Sequence, residues 1–116
     1  MVYVSSVSET KIEDVHMDGV YDTKIQWLID ESAGAKNFAM RRFVLAQDGI
    51  INLHTHDWEH EVFVLEGKGE LLSEDGNKPV GPGSVAFVEP GIPHGFKNTG
   101  DTEFVFICLI PIKEGD

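Results

Sequence analysis

The 116 residues hold a single cysteine, Cys108. A lone thiol excludes an internal disulfide and any zinc site built from paired cysteines. Basic residues are also scarce: nine Lys and Arg stand against 20 Asp and Glu, a formal net charge of -11. Nucleic acids and anionic membrane surfaces select basic patches, so neither is an expected partner. No apolar run approaches the roughly 18 residues that span a bilayer. The first residues, Met1-Val2-Tyr3-Val4-Ser5-Ser6, lack a basic stretch followed by an apolar one. No signal peptide is therefore expected, and the cytoplasm is the expected compartment. No segment shows a helical period with caps, and there is no internal repeat or low-complexity tract.

What is present is a succession of short β-branched and aromatic runs separated by Gly, Pro, Asn and Asp. The pattern predicts strands over 23–29, 37–46, 50–56, 62–65, 71–72, 84–88, 94–98 and 103–110. Turns are predicted at 47–49, 74–77, 79–83, 89–93 and 98–101. Residues 1–20 form an expected arm and 113–116 a frayed tail. Many short strands between turn signals imply an all-β barrel or sandwich, in one domain that buries roughly two-thirds of its unfolded surface.

The histidines are unevenly placed. Of five, three fall at His54, His56 and His60, and a fourth, His94, follows Pro90-Gly91-Ile92-Pro93. Alternation along a strand puts His54 and His56 on one side, with Cα atoms about 6.5 to 7 Å apart, so two imidazoles can converge. On the same straight strand His60 would lie about 13 Å beyond His56. The chain must therefore bend through Asp57-Trp58-Glu59 and bring His60 back on the neighbouring strand. Glu61 then points away unless a bulge reverses the phase. Two prolines restrict the turn before His94. Four mutually close neutral histidines have few donors and acceptors to share, so packing explains them poorly. The reading is one mononuclear site with His54, His56, His60 and His94 as ligands. Imidazole suits Mn, Fe, Ni, Cu and Zn alike. Acidification to about pH 6 and below is expected to release the metal, because only neutral imidazole ligates. His16 has no partner at ligand spacing and is expected at the surface.

These residues resemble the cupins. The first cupin motif reads Gly-x5-His-x-His-x3-Glu-x6-Gly. His54, His56 and Gly67 fit it, His60 stands at the glutamate position, and Gly49 comes one residue late. The second reads Gly-x5-Pro-x-Gly-x2-His-x3-Asn. Gly83, Gly91, His94 and Asn98 fit it, with Glu89 in the proline slot. The resemblance implies a double-stranded β-helix, or jelly-roll barrel, with one motif over 49–67 and the other over 83–98. The string His-x-His-x-Trp-Glu-His-Glu-x-Phe-Val-Leu is similar to small one-domain bacterial and archaeal cupins. That likeness implies one divalent transition metal, Mn or Fe first, held by four histidines. His60 in place of a carboxylate leaves four neutral ligands around a 2+ ion, which favours an anionic or chelating further ligand. Four ligands in an octahedral shell leave two positions open.

The expected substrate pocket is formed by Arg41, Ile51, Trp58, Phe104, Phe106 and Cys108. Both faces of the last strand are apolar, so periodicity cannot choose between them. The Phe104, Phe106, Cys108 face is taken as inward because two aromatics and a thiol suit a pocket near a metal. Arg41 and Arg42 fall on opposite faces, and an arginine inside a small barrel is costly unless it meets an anion. The related cupins carry an arginine at the position resembling Arg41, which makes Arg41 the anion-orienting residue; a solvated surface arginine is the alternative. Trp58 is expected to roof the site. Two functions are compatible with these residues: a metal-dependent oxygenase or other metal-assisted enzyme, and a non-catalytic small-molecule or metal sensor. A homodimer is expected, with residues 1–30 covering the partner's sheet edge.

Overall fold

A computed structural model of the chain describes residues 1–112; the expected tail at 113–116 lies outside the described residues. Nine strands follow one another: β1 (Glu13–Asp14), β2 (Val20–Ile29), β3 (Phe38–His54), β4 (His60–Glu66), β5 (Gly69–Ser73), β6 (Lys78–Val80), β7 (Val85–Val88), β8 (His94–Asn98) and β9 (Phe104–Pro111). The helical content of the described residues is two short 3-10 turns, Val7–Glu9 and Glu31–Ala33. No helix among the described residues is long and apolar enough to cross a membrane.

β3 organises the sheet. Its first half, from Phe38 to Leu45, pairs antiparallel with β9, whose far neighbours are β4 and then β7. Its second half, from Ile50 to His54, pairs with β8, which continues to β5 and β6. β2 runs beside both halves, and β1 pairs with β2. The two half-sheets curl onto a common core to give an all-β jelly-roll barrel. Phe106 is the hub of that core, with ring centroids 4.4 Å from Phe96, 5.3 Å from Phe43 and 5.3 Å from Phe104. Each such pair adds about 0.5–1.5 kcal/mol beyond the area it buries.

The predicted turn at 47–49 is instead a bend within one continuous strand. Tyr21 faces Ile50 and Thr23 faces Leu45, so residues 46–49 bulge opposite the single residue Asp22. Asp22 and Asp48 both adopt the left-handed region, at φ 52 and 67. A Cβ at Gly49 would stand 2.8 Å from the carbonyl oxygens of both Asp22 and Ala46, so only glycine fits the crowded side of the bend. The glycine of the first motif, Gly49, thus sits within the bulge. β6, read from sequence as a break, is an edge strand; Pro79 sits there opposite Glu70, where a missing N–H costs little. The segment expected to cover a partner's edge pairs within its own chain, through β1, β2 and the Gln26 amide, which donates to the carbonyls of Val7 and Thr10.

Asn98, at the end of β8, pins the bend. It is 2% exposed; its Nδ2 donates to the carbonyls of Leu45 (3.0 Å), Ala46 (3.1 Å) and Thr102 (2.8 Å), and its Oδ1 accepts from Gly100 N–H (2.9 Å). Asn98→Ala strands these buried groups. We expect it to lower stability by about 2–4 kcal/mol, since each stranded group costs about 1–3 kcal/mol. The thermal midpoint should fall by about 10 °C. Calorimetry of the metal-free protein checks this, and a loss below about 1 kcal/mol would show that the bend does not depend on Asn98.

Candidate metal centre

Three of the expected ligands sit at strand ends, where the ladder fixes their backbone. His54 closes β3 and His94 opens β8, and the two are cross-strand partners. His60 opens β4 opposite Val88. The strand predicted through residue 56 stops at His54, so His56 lies in the connecting loop. That loop is held by Gly91 N–H, which donates to His56 O at 2.8 Å and thereby ties the two motifs together. The Trp58 indole stacks on the His56 ring at 4.2 Å and 3°.

The four rings form one cluster. Centroids lie 4.5 Å apart for His54 and His94, 5.4 Å for His54 and His56, 4.4 Å for His56 and His60, and 4.9 Å from His94 to both His56 and His60. The ligand nitrogens of His54, His56 and His94 all lie within 4.8 Å of one another. His60 Nε2 stands 2.6 Å from His56 Nε2. Nitrogens about 2.1 Å from a shared ion are about 3 Å apart in cis and about 4.2 Å apart in trans, so the spacing of His54, His56 and His94 is close to that of ligands around one ion, and His60 meets the set through His56.

The far side of each ring strengthens the fit. Nδ1 of His54, His56 and His94 lies 2.9, 3.1 and 2.8 Å from the carbonyls of Asn52, Trp58 and Ile92. A carbonyl only accepts, so Nδ1 carries the proton and each Nε2 keeps its lone pair for the cluster. His94 Nε2 is buried with no hydrogen-bond partner among the described residues, which is the vacancy a bound cation would fill. His60 differs. Its Nδ1 faces Cys108 Sγ at 2.9 Å and Arg41 Nη2 at 3.1 Å.

Burial disfavours the imidazolium form of His56, His60 and His94. Desolvation lowers the His56 pKa to about 4, reinforced by His94. Desolvation also lowers His60 to about 3, with Arg41 adding to it. His94 is lowered for the same reason, and the Cys108 thiol is pushed up by burial. His56 and His60 are thus already neutral well below pH 6, so neither of them requires acid release of a metal in the unperturbed histidine range.

The remaining residues of the expected pocket occupy three levels. Arg41 enters the site: its guanidinium stacks 4.9 Å over Phe43 and 5.6 Å over Trp27, and its Nε is buried with no partner among the described residues. Arg42, on the other face, donates to Gln26 Oε1 at 2.8 Å. Cys108 is 1% exposed beside His60. Ile51, Phe106 and Phe104 lie progressively among the buried core residues, with Phe104 packed over Gly69. Glu61 is exposed, as the strand phase requires. His16 is exposed and outside the cluster. Sequence reasoning missed Trp27. With Trp58, Ala39, Ile110 and Pro111 it walls a cleft of about 350 Å³ that has Asp30 and Glu31 at its margin. The indole of Trp58 is the wall shared by this cleft and the histidine cluster.

Residues 41–110 match the cupin domain family, 70 of the 116 positions. The chain is a cupin. It superposes on the polyketide cyclase RemF from Streptomyces resistomycificus with a TM-score of 0.92 and 32% identity, covering 100% of this chain and 83% of that one. A predicted oxalate decarboxylase from Thermotoga maritima superposes with a TM-score of 0.83 and 27% identity, covering 96% of this cupin and 100% of that chain. An oxalate-binding protein of Thermotoga maritima is 31% identical over 70 residues. That match takes in 60% of this chain and 58% of the relative's length.

The lowered histidine pKa values carry a stability signature. In the folded metal-free cupin His56 and His60 protonate near 4 and 3, against 6.5 for the free side chain. As pH falls through 6.5 the unfolded chain therefore takes up protons first, and folded-state stability declines until the folded groups also protonate. Urea unfolding between about pH 7 and about pH 4.5 should show stability falling with pH, and His60→Gln should flatten the slope. Equal slopes in both proteins would remove His60 as a source.

Proposed function

We propose that this cupin is a metal-dependent enzyme in which His54, His56, His60 and His94 hold one divalent transition-metal ion, Mn or Fe first, for a small chelating substrate. The observation that carries the reading is the set of three carbonyl-anchored imidazoles, His54, His56 and His94, whose ring nitrogens lie within 4.8 Å of one another, with His60 Nε2 2.6 Å from that of His56. A divalent ion there supplies a Lewis acid that polarises a carbonyl and stabilises enolate character. The protein contributes the surroundings. Four neutral ligands leave the ion's charge uncompensated, and the Arg41 guanidinium adds a second cation beside His60. Trp58 covers one face of His56 and keeps water from it. Burial keeps His56, His60 and His94 unprotonated, so none of them acts as a proton donor near neutral pH.

Two catalytic routes suit such a site, dioxygen activation and Lewis-acid catalysis. The likeness to a polyketide cyclase over the whole of this chain favours the second, with an enolisable β-dicarbonyl as the substrate class. The apolar cleft walled by Trp27 and Trp58 supports a flat carbonyl compound over a small dianion. The likeness to an oxalate-binding protein supports a second reading, a non-catalytic binder of small chelating anions. A homodimer belongs to the proposal as well: β7 lies at the sheet edge and exposes Val85 (74%) and Phe87 (56%) beside Phe63 of β4.

Elemental analysis of protein purified without added metal should find about one transition-metal ion per chain, and His94→Ala should lose most of it. Incubation with β-diketones and poly-β-ketones under mass spectrometry should give ring-closed or dehydrated products without oxygen uptake. Oxygen consumption selects the oxygenase route instead, and a bound ligand released unchanged selects the binder. In sedimentation velocity at micromolar concentration the species should have twice the chain mass; a monomer rejects the dimer.

A further inference from the structure

Three of the four histidines have a backbone carbonyl to fix the Nδ1 proton, and His60 has none. His60 Nδ1, Cys108 Sγ and Arg41 Nη2 instead form a closed triangle with edges of 2.9, 3.1 and 3.1 Å. The sheet register builds it: Cys108 is the cross-strand partner of Arg41 on one side and of Val62 on the other, and Val62 shares its face with His60.

A guanidinium only donates. That leaves two arrangements around His60. In the first, Arg41 donates to Nδ1 and the imidazole proton sits on Nε2, directed at His56 Nε2 2.6 Å away. His60 then has no lone pair for an ion, and it occupies that of His56. In the second, the proton sits on Nδ1 and both Nε2 lone pairs are free. The acceptor for Nδ1–H in that arrangement is the sulfur of Cys108. Arg41 turns its own N–H to the same sulfur, and the thiol's hydrogen points toward the Leu109 carbonyl, 4.0 Å away.

We propose that Cys108 is the positioning residue for His60: its sulfur accepts from His60 Nδ1–H and from Arg41 Nη2–H together. It thereby holds His60 in the one tautomer able to ligate a metal, while donation from Arg41 to Nδ1 is the competing arrangement of the metal-free site. Cys108 is 1% exposed, so no bulk solvent competes for the sulfur. The role is distinct from ligation, because the sulfur meets Nδ1, the side of the ring that faces away from the other three histidines. The inference rests on the metal reading above.

The test uses the full chain loaded with zinc or cobalt. Long-range proton–nitrogen spectra of the zinc-loaded wild type should show His60 protonated on Nδ1, and chelation of the metal should move the proton to Nε2. Cys108→Ala should weaken zinc binding by about 10-fold or more, the usual range for losing a ligand's outer hydrogen-bond partner. Cys108→Ser, which restores an acceptor, should come within about threefold of wild type. Cobalt-loaded wild type should show no sulfur-to-cobalt charge transfer. Unchanged zinc affinity in Cys108→Ala, equal loss in both variants, or a sulfur charge-transfer band each overturns the inference while leaving the metal reading intact. A wild type that binds no metal overturns both. If Cys108→Ala does not fold, the wild-type tautomer decides: His60 protonated on Nε2 in the loaded protein rejects the role.

Discussion

The bend in β3 is the constraint on which the site depends. A straight strand of seventeen residues could pair with β9 or with β8, and the two half-sheets would not close over one core. The bend costs energy. Non-glycine residues in the left-handed region cost on the order of 1–3 kcal/mol each, and both Asp22 and Asp48 adopt it. The offset comes from outside the bend. Antiparallel pairing resumes on either side, and Asn98 satisfies the Leu45 and Ala46 carbonyls at the bulge. Because Asn98 ends the strand that His94 begins, the same side chain that stabilises the bend also fixes the strand that carries the fourth histidine. Fold and site share one set of hydrogen bonds.

From that frame the histidines are oriented in two steps. Strand ends place the backbone of His54, His60 and His94, and Gly91 N–H ties down the loop that carries His56. Hydrogen bonds at Nδ1 then set ring rotation and tautomer. An imidazole without such a bond spins about its terminal torsion in a broad well and presents either nitrogen. Three rings use a carbonyl two residues away in sequence: His56 and His94 in their loops, and His54 at the irregularity that ends β3, so their orientation follows from the local backbone. His60 stands in a regular strand whose carbonyls are committed to the ladder, and its partner must come from a neighbouring strand. That is a physical reason for a polar atom at position 108, in a face otherwise occupied by Phe104 and Phe106.

Much of this is legible in the sequence, for reasons that also mark where legibility ends. The spacing of His54, His56 and His60 requires a bend before His60, because strand rise alone separates them too far, but the strand already ends at His54 and β4 pairs with β9 and β7 rather than with β3. The Gly-rich spacing of the second motif places His94 after a turn. Residues 47–49 are different. Gln-Asp-Gly carries the same local chemistry whether the chain reverses or merely bulges, since both need a residue at positive φ. Only pairing with β2, β8 and β9 decides between them, and those partners lie up to sixty residues away. Pro79 reads as a break until the strand is known to be at an edge. The inward face of β9 was undecidable because Val105 is as buried as Phe104 and Phe106. Trp27 gave no signal at all: its role comes from sitting across from Arg41 in the register of β2 and β3, which no local pattern encodes.

Charge joins these features. The chain is strongly acidic, yet its centre collects neutral imidazoles around a guanidinium and would hold a dication. The negative exterior is screened within about 8 Å at physiological ionic strength, so it repels anions mainly close to the surface. Asp30 and Glu31 line the cleft that Trp27 and Trp58 wall. A dianion lodged in that cleft would lie against their charge. On the proposed reading, a neutral enolisable ligand would meet no such repulsion and would develop its negative charge only beside Arg41 and a bound ion. Differential stabilisation of charge that appears during a reaction, over charge already present in the free ligand, is the condition for catalysis rather than tight binding. The contrast between an acid-lined cleft and a cationic centre thus fits the proposed substrate class, one that would become anionic in the site.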